Sequence, residues 1–491
     1  LKNYFSAASK GRLVVEYQVF PPQNDDAYQT SNDMIYYGGE EDEEKQKARW
    51  AELLQDGIAA AESQDNPDFS EFDTFIIYHA GVGKDFAFDF TETPFDIQSA
   101  FIDLATLQET IGENSPAYEG IPAGQDFFIQ NGIILPEQQS QKEINLGLLG
   151  TATLLFGSHI GMPSLFQTDT GRAGIGMWGL MDQGSYNYFG LIPALPSAWE
   201  KVYMGWEEVV TVTSLDDAIL GSSKTTSAPH LFKIPITSSE YYLIENRQED
   251  LDGDRITYGR DESGVRVKFD SLGNIVAEQG LGVITQIEEY DYGLPGSGLL
   301  IWHIDDNVIR QNLEGNTINN DPEHRGVDLV ECDGPQDMGQ QYSMFTPGYG
   351  TDAGDYWDAY WSGNISHKYI NGEKPVEFSS TSIPPSIGYN RSATHIQIFN
   401  ISDKDTLMTF SIGNDWHLPG FPQYTGEEFG EGGLNYVTLE DGSKGIIAVS
   451  KSGKIYGWRA NGDKIIANDL EQEITDVTGA VSNWPVALMA D

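Results

Sequence analysis

The chain has 491 residues, too many for one ordinary core, so about two to four domains are expected. Its 75 Asp and Glu against 28 Lys and Arg give a net charge of −47, which excludes nucleic acid and anionic membranes as partners. No apolar run reaches the roughly 18 residues of a spanning helix, and the single cysteine, Cys332, excludes an internal disulfide.

Residues 11–20 (GRLVVEYQVF) read as a strand ended by Pro21 and Pro22. Residues 41–61 read as a helix, with Trp50, Leu53, Leu54 and Ile58 at helical spacing. A short strand is expected at 75–78, with a turn at 79–83. Residues 147–156 are small and apolar and read as a buried helix, although the glycines, Thr151 and Thr153 weaken it. A glycine-rich loop at 174–188 and a helix at 197–206 close the first domain.

From Glu207 onward the pattern is that of strands, at 209–212, 231–234, 241–244, 283–287, 299–302, 396–399 and 407–412. A long loop, 305–358, interrupts this region, and loops of that length bind ions or partners, or move. Beyond Gly413, two strands at 445–450 and 454–458, with turns at 451–453 and 460–463, read as one propeller blade. Residues 416–422 and 483–486 read as equivalent points of two blades. A propeller needs about four blades, so either the natural chain continues past Asp491 or the protein is a truncated one. The start at Leu1 is expected to follow a removed signal or propeptide.

Seven segments in order carry a resemblance. They begin with Tyr78-His79-Ala80-Gly81-x-Gly83, then Phe156-Gly157 through Gly161-Met162-Pro163-x-Leu165-Phe166, then the stretch from Gly176-Met177-Trp178 to Met181-Asp182-x-Gly184-Ser185. Pro196-Ser197-Ala198-Trp199 to Gly205-Trp206 and Leu243-Ile244-Glu245-Asn246-Arg247-Gln248 follow. The last two are Gly298 to His303-Ile304-Asp305, and His324-Arg325-Gly326-Val327-Asp328 to Glu331-x-Asp333-Gly334. Over residues 1 to about 413 the chain resembles the immune-inhibitor-A type secreted metallopeptidases, the family numbered six among metallopeptidases. Members are secreted zinc endopeptidases made with a propeptide, and many bind calcium. The resemblance implies an α+β zincin-like domain at 1–206 and a β-rich, sandwich-like domain with long acidic loops at 207–413. Residues 414–491 then begin β-propeller-like blades.

A zincin helix needs two histidines four apart, with a glutamate after the first to activate the zinc-bound water. In the register of the resemblance those positions hold Leu154, Leu155 and Ser158, and Ser164 stands where the family carries an aspartate. Leucine offers no lone pair, so this frame is expected to be inert and without zinc. His159 lies one position too far, about 100° around the helix, and is read as a helix-end packing group. His79 is read as stabilising its turn, and Met181, where zincins place a methionine under the metal, as a core residue. Cys332 has carboxylate neighbours that raise its pKa and make it a poor nucleophile.

Calcium takes oxygen ligands, and three acidic groups are candidates. Asp250, Asp252, Asp254 and Asp261 have calcium-loop spacing, although Arg255 replaces the loop's glycine and Asp261 its glutamate; an acidic β-turn is the alternative. Asp305, Asp321, Asp328, Glu331 and Asp333 form a richer, more diffuse set. Asp352, Asp355 and Asp358 form a third, with turn capping as the alternative.

The expected function is that of a secreted or cell-surface, catalytically inert protease homologue. Its role would be structural, adhesive or complex-forming, with extracellular proteins, glycans or further copies of itself as partners. Two alternatives stand beside it: an active zinc endopeptidase with displaced ligands around His159, and a glycan- or peptide-binding module whose groove is lined by Trp178, Tyr186 and Tyr188.

Overall fold

The structure is a computed structural model that describes residues 1–22, 27–85, 95–124, 127–140, 145–277, 283–415, 425–427, 429–438, 441–459, 462–469, 474–478 and 486–489. The chain divides into two compact units, 1–413 and 414–491.

In the first unit, helix α1 (Lys2–Ala8) buries Tyr4 and Phe5 in the main core. Helix α2 (Glu43–Gln64) starts at Asp42, whose side chain accepts the Lys45 N–H, and Glu43 and Glu44 favour its positive end. Strands β1 (Ile76–Val82), β2 (Ala100–Ile102) and β3 (Gly132–Gln138) form a sheet with β3 central, parallel to β1 and antiparallel to β2. Alternation along β3 divides its apolar residues between two faces. Ile134 packs with Leu54 and Ile58 of α2, whereas Ile133 and Leu135 join Ala152 and Phe156 of helix α3 (Leu148–His159).

Helix α3 contains the glycines that argue against it locally, and packing explains them. A Cβ on Gly157 would stand 2.6 Å from Met181 Sδ, so only glycine lets the helix lie this close to Met181. Gly157→Ala is expected to cost about 1–3 kcal/mol through overpacking, read as a lower urea midpoint with unchanged slope.

Two sequence expectations are corrected here. Residues 14–19 join no sheet; Leu13 and Val15 pack against the core while Val14, Tyr17 and Val19 are exposed. The alternation is that of a strand, but no described strand lies beside it. The strand expected at 75–78 runs instead through the expected turn to Val82, because β3 continues beside it to Gln138.

After helix α4 (Ala198–Tyr203), which opens on a Ser197–Glu200 capping box, the chain enters its strands. The first six are β4 (Val210–Thr211), β5 (Leu215–Gly221), β6 (Leu231–Pro235), β7 (Glu240–Arg247), β8 (Ile256–Asp261) and β9 (Arg266–Asp270). Then come β10 (Ile275–Ala277), β11 (Ile284–Ile287), β12 (Gly298–Asp305), β13 (Val327–Leu329), β14 (Ile396–Phe399) and β15 (Leu407–Asn414). A five-stranded sheet runs β13-β12-β7-β6-β4. All eight residues of β7 and of β12 are buried, which fits continuous apolar runs covered on both faces. One face (Leu243, Leu300, Trp302) meets Trp178, Trp199 and Phe156 in the main core. The other (Ile244, Leu299, Ile301) meets Met408 and Phe410 of the β14-β15-β5 sheet, so two sheets share a second core. The main core therefore crosses the expected 206/207 boundary. The stretch expected as one loop at 305–358 contains helix α5 (Asp306–Asn312) and β13.

In the second unit, strands β16 (Phe429–Thr438), β17 (Lys444–Ser450), β18 (Lys454–Arg459) and β19 (Lys464–Asp469) form an antiparallel meander. Tyr456 stacks on the buried Trp458, with centroids 5.7 Å apart and planes at 6°. Residues 416–422 and 483–485, expected as blade equivalents, and the start of the turn at 460–463 lie outside the described residues. Among the described residues, no helix is long and apolar enough to cross a membrane.

Candidate functional site

Leu154 and Leu155, half-buried on α3, pack against the main core. Ser158 Oγ donates to Leu154 O at 3.3 Å, so it is bonded within its own helix. Ser164 is clasped by Asn316, whose Oδ1 accepts the Ser164 N–H at 2.8 Å and whose Nδ2 donates to Ser164 Oγ at 3.0 Å. His159 Nε2 is hydrogen-bonded to Thr74 Oγ1, and burial lowers its pKa. Among the described residues, no group of three ligand atoms from His, Cys, Asp or Glu includes His159. These residues do not fit zinc. Met181 is fully buried beneath α3. His79 donates from Nδ1 to Ala80 O at 3.1 Å, while its Nε2 is buried without a partner and burial lowers its pKa.

The expected aromatic groove is corrected. Trp178 is 0% exposed and donates from Nε1 to Asp358 Oδ2 at 3.1 Å. Tyr188 packs edge-on against Phe269 and donates its hydroxyl to Asp270 O. Of the three, Tyr186 alone presents an exposed ring.

The carboxylates converge elsewhere. Oxygens of Glu331, Asp333 and Asp358 lie within 4.8 Å of one another. The segment that follows β13 carries Glu331 and Asp333, and the Cys332 N–H donates to Asp358 O at 2.9 Å, which brings the second segment alongside. Glu331 is fixed by the N–H groups of Asp337 and Met338, at 2.7 and 3.0 Å. Asp358 Oδ2 accepts the Asp355 N–H at 2.8 Å besides the Trp178 indole. Asp333 Oδ1 is buried with no hydrogen-bond partner. Among the described residues, none of the three carboxylates pairs with a lysine, arginine or histidine; Arg325, the nearby cation, binds Asp328 at 2.7 Å.

Burial, with Asp358 beside it, pushes Glu331 well up; burial, with Asp355, does the same to Asp358. Burial and the charges of Asp355 and Asp337 push Asp333 up to about 7. Three crowded, part-desolvated carboxylates with one orphaned oxygen must hold protons or a cation. An all-oxygen set of this kind fits a hard cation such as calcium. Cys332 beneath it is fully buried, and burial pushes its thiol up, which suits a core residue.

Sequence spacing placed Glu331 and Asp333 in one set and Asp358 in another; the fold joins them. Asp355 flanks the cluster and Asp352 stays outside, its carbonyl accepting the Gly339 N–H. The remaining members of the diffuse set do not join. Asp305 caps α5 through Asn307 and holds His324 at 3.0 Å; Asp321 accepts the Glu323 N–H; Asp328 holds Arg325. Asp250, Asp252 and Asp254 do come within 4.8 Å. Their oxygens accept the N–H groups of Gly253, Arg255, Asp254 and Ile256, as in an acidic turn. Asp261 is apart, holding the Ser263 and Val265 N–H groups.

Asp182 escaped the sequence reading. Its Oδ2 accepts the N–H groups of Gly174, Ile175 and Gly176, and burial pushes it up to about 6 against the pull of those bonds. It turns the glycine-rich stretch into an ordered turn that carries Met177 and Trp178. An aspartate just behind such a glycine run was the available signal.

The chain matches no protein-family model, no curated protein and no solved structure.

Proposed function

We propose that the chain is a secreted, catalytically inert relative of the immune-inhibitor-A metallopeptidases, acting outside the cell as a calcium-stabilised structural or complex-forming body. The observation that carries this reading is the filling of the three ligand positions by Leu154, Leu155 and Ser158, with Ser158 bonded inside its helix. Met181 beneath the same helix, with Gly157 permitting its approach, supports descent from a zincin frame. Glu331, Asp333 and Asp358 would hold the cation, which supplies charge neutralisation and a cross-link between two chain segments. A net charge of −47 favours partners that are basic or bridged by calcium.

The test is proteolysis of an unfolded protein substrate with zinc and calcium present. The expected rate equals that of the heat-denatured chain. Cleavage that 1,10-phenanthroline abolishes contradicts the reading.

A further inference from the structure

Residues 14–19 run without a bend or turn, yet they belong to no sheet. Among the described residues, nothing hydrogen-bonds to the backbone of residues 14–20. Three large apolar side chains stand out from this run: Val14 and Val19, each 66% exposed, and Tyr17, 77% exposed. The run is nevertheless tied down at both ends. At one end Lys10 pairs with Glu207, Arg12 donates to Gly205 O at 2.6 Å, and Leu13 and Val15 rest against the main core. At the other end Phe20 meets Phe72 edge-on, with centroids 6.2 Å apart. A strap held at both ends presents its middle already ordered, so a strand that pairs with it avoids much of the usual ordering cost.

An unpaired run with apolar side chains and open backbone groups is a template for a second strand. The segment itself meets the requirements of that second strand. Valine, tyrosine and phenylalanine suit a sheet, and no glycine or proline interrupts residues 12–20. Charge favours the same choice. At −47, two copies repel one another over most of their surfaces. Residues 1–22 run against that balance, with Lys2, Lys10 and Arg12 against Glu16. Charge also selects the register. A two-fold antiparallel pair centred on Glu16 sets that carboxylate against its own copy, which is destabilising. Centred on Tyr17, the pair sets Tyr17 on Tyr17, Glu16 against Gln18, Val15 against Val19 and Val14 against Phe20. Centres nearer either end run into the bends at Arg12 and Leu13 or the prolines at 21 and 22.

We propose that residues 14–20 pair antiparallel with the same residues of a second copy, centred on Tyr17, in a two-fold dimer. The pairing adds about six backbone hydrogen bonds and covers the exposed valines and tyrosine. The two Val15–Val19 pairs then lie at the rim of the main core, where Val15 already rests. Such a dimer gives the complex-forming role a surface, and it depends on neither the loss of zinc nor the binding of calcium.

Sedimentation velocity on the full chain tests this, in about 0.15 M salt so that distant charges are screened. The wild-type chain is expected to shift from the mass of one chain to that of two as concentration rises. Tyr17→Lys and Tyr17→Glu each set like charges face to face at the centre of the pair, and each is expected to weaken association about tenfold. The side chain is exposed, so both variants are expected to keep the wild-type melting temperature. Mixing the two variants sets lysine against glutamate and is expected to restore the two-chain mass. A wild-type chain of single mass at every concentration overturns the dimer. Slow hydrogen exchange of the 15–19 amides would then show the segment covered by its own chain, and fast exchange would leave it to a different protein. A dimer indifferent to both substitutions, or a mixture no tighter than its parts, overturns the pairing through Tyr17.

Discussion

Chelation of calcium is expected to lower the melting temperature of the intact chain, by an amount that grows with pH. In the calcium-free chain, Glu331, Asp333 and Asp358 are held protonated by burial and mutual repulsion, Asp333 up to about 7. Their unfolded counterparts ionise near pH 4. Between about pH 4 and 7 the unfolded state therefore releases protons first, and calcium-free stability falls as pH rises. Calcium would replace those protons, so its binding is expected to tighten as pH rises. The gap between calcium-loaded and calcium-free chains is expected to be negligible near pH 4 and largest above about pH 7. At saturation near 100 times Kd it amounts to about 2.7 kcal/mol, or at least about 3 °C in Tm. Asp333→Asn is expected to remove most of that gap and to stabilise the calcium-free chain, because it relieves a crowded carboxylate. Scanning calorimetry with and without chelator at several pH values reads both effects. A chelator effect independent of pH and of Asp333 contradicts the assignment.

Arg247→Leu is expected to cost about 3–5 kcal/mol, the usual result of orphaning a buried anion. The Arg247 guanidinium is 1% exposed. It grips Asp291 with Nε at 2.9 Å and Nη2 at 2.6 Å, and it reaches the carbonyls of Leu195, Trp178 and Pro196. These carbonyls belong to the first half of the 1–413 unit and Arg247 to the second. Loss of the side chain therefore loosens the seam as well as leaving Asp291 buried and unpaired. The double variant Arg247→Leu with Asp291→Leu is expected to recover part of the loss, since the uncompensated charge is gone. Denaturant unfolding of the 1–413 unit should stay a single transition in all variants, because its main core crosses residue 206. Separate transitions for 1–206 and 207–413 contradict that shared core.

The parts of the fold that were legible in sequence are those fixed by local pattern. Continuous apolar runs announced β7 and β12, since strands covered on both faces cannot alternate. Helical spacing announced α2, and α3 was readable despite its glycines because close packing on Met181 offsets their local cost. Residues 14–19 show the limit of pattern. The alternating face is only partly realised, with Leu13 and Val15 against the core and Tyr17 and Val19 exposed, and no described strand pairs with the segment. That Leu154, Leu155 and Ser158 offer zinc no ligand set was readable because the three residues lie on one helix. The carboxylate cluster was not, because its closure depends on a backbone bond from Cys332 to Asp358, across a stretch containing many other acids. With 75 Asp and Glu in the chain, spacing alone could not select the three that fold together.

The proposed function has the chain binding calcium and not zinc. Elemental mass spectrometry of the purified chain after mild dialysis tests it most directly. Calcium bound without zinc, with the calcium content falling by about one per chain in Asp358→Asn, is the result expected from an oxygen-only site. Zinc near one per chain in the wild-type protein contradicts the account and directs attention to ligands around His159.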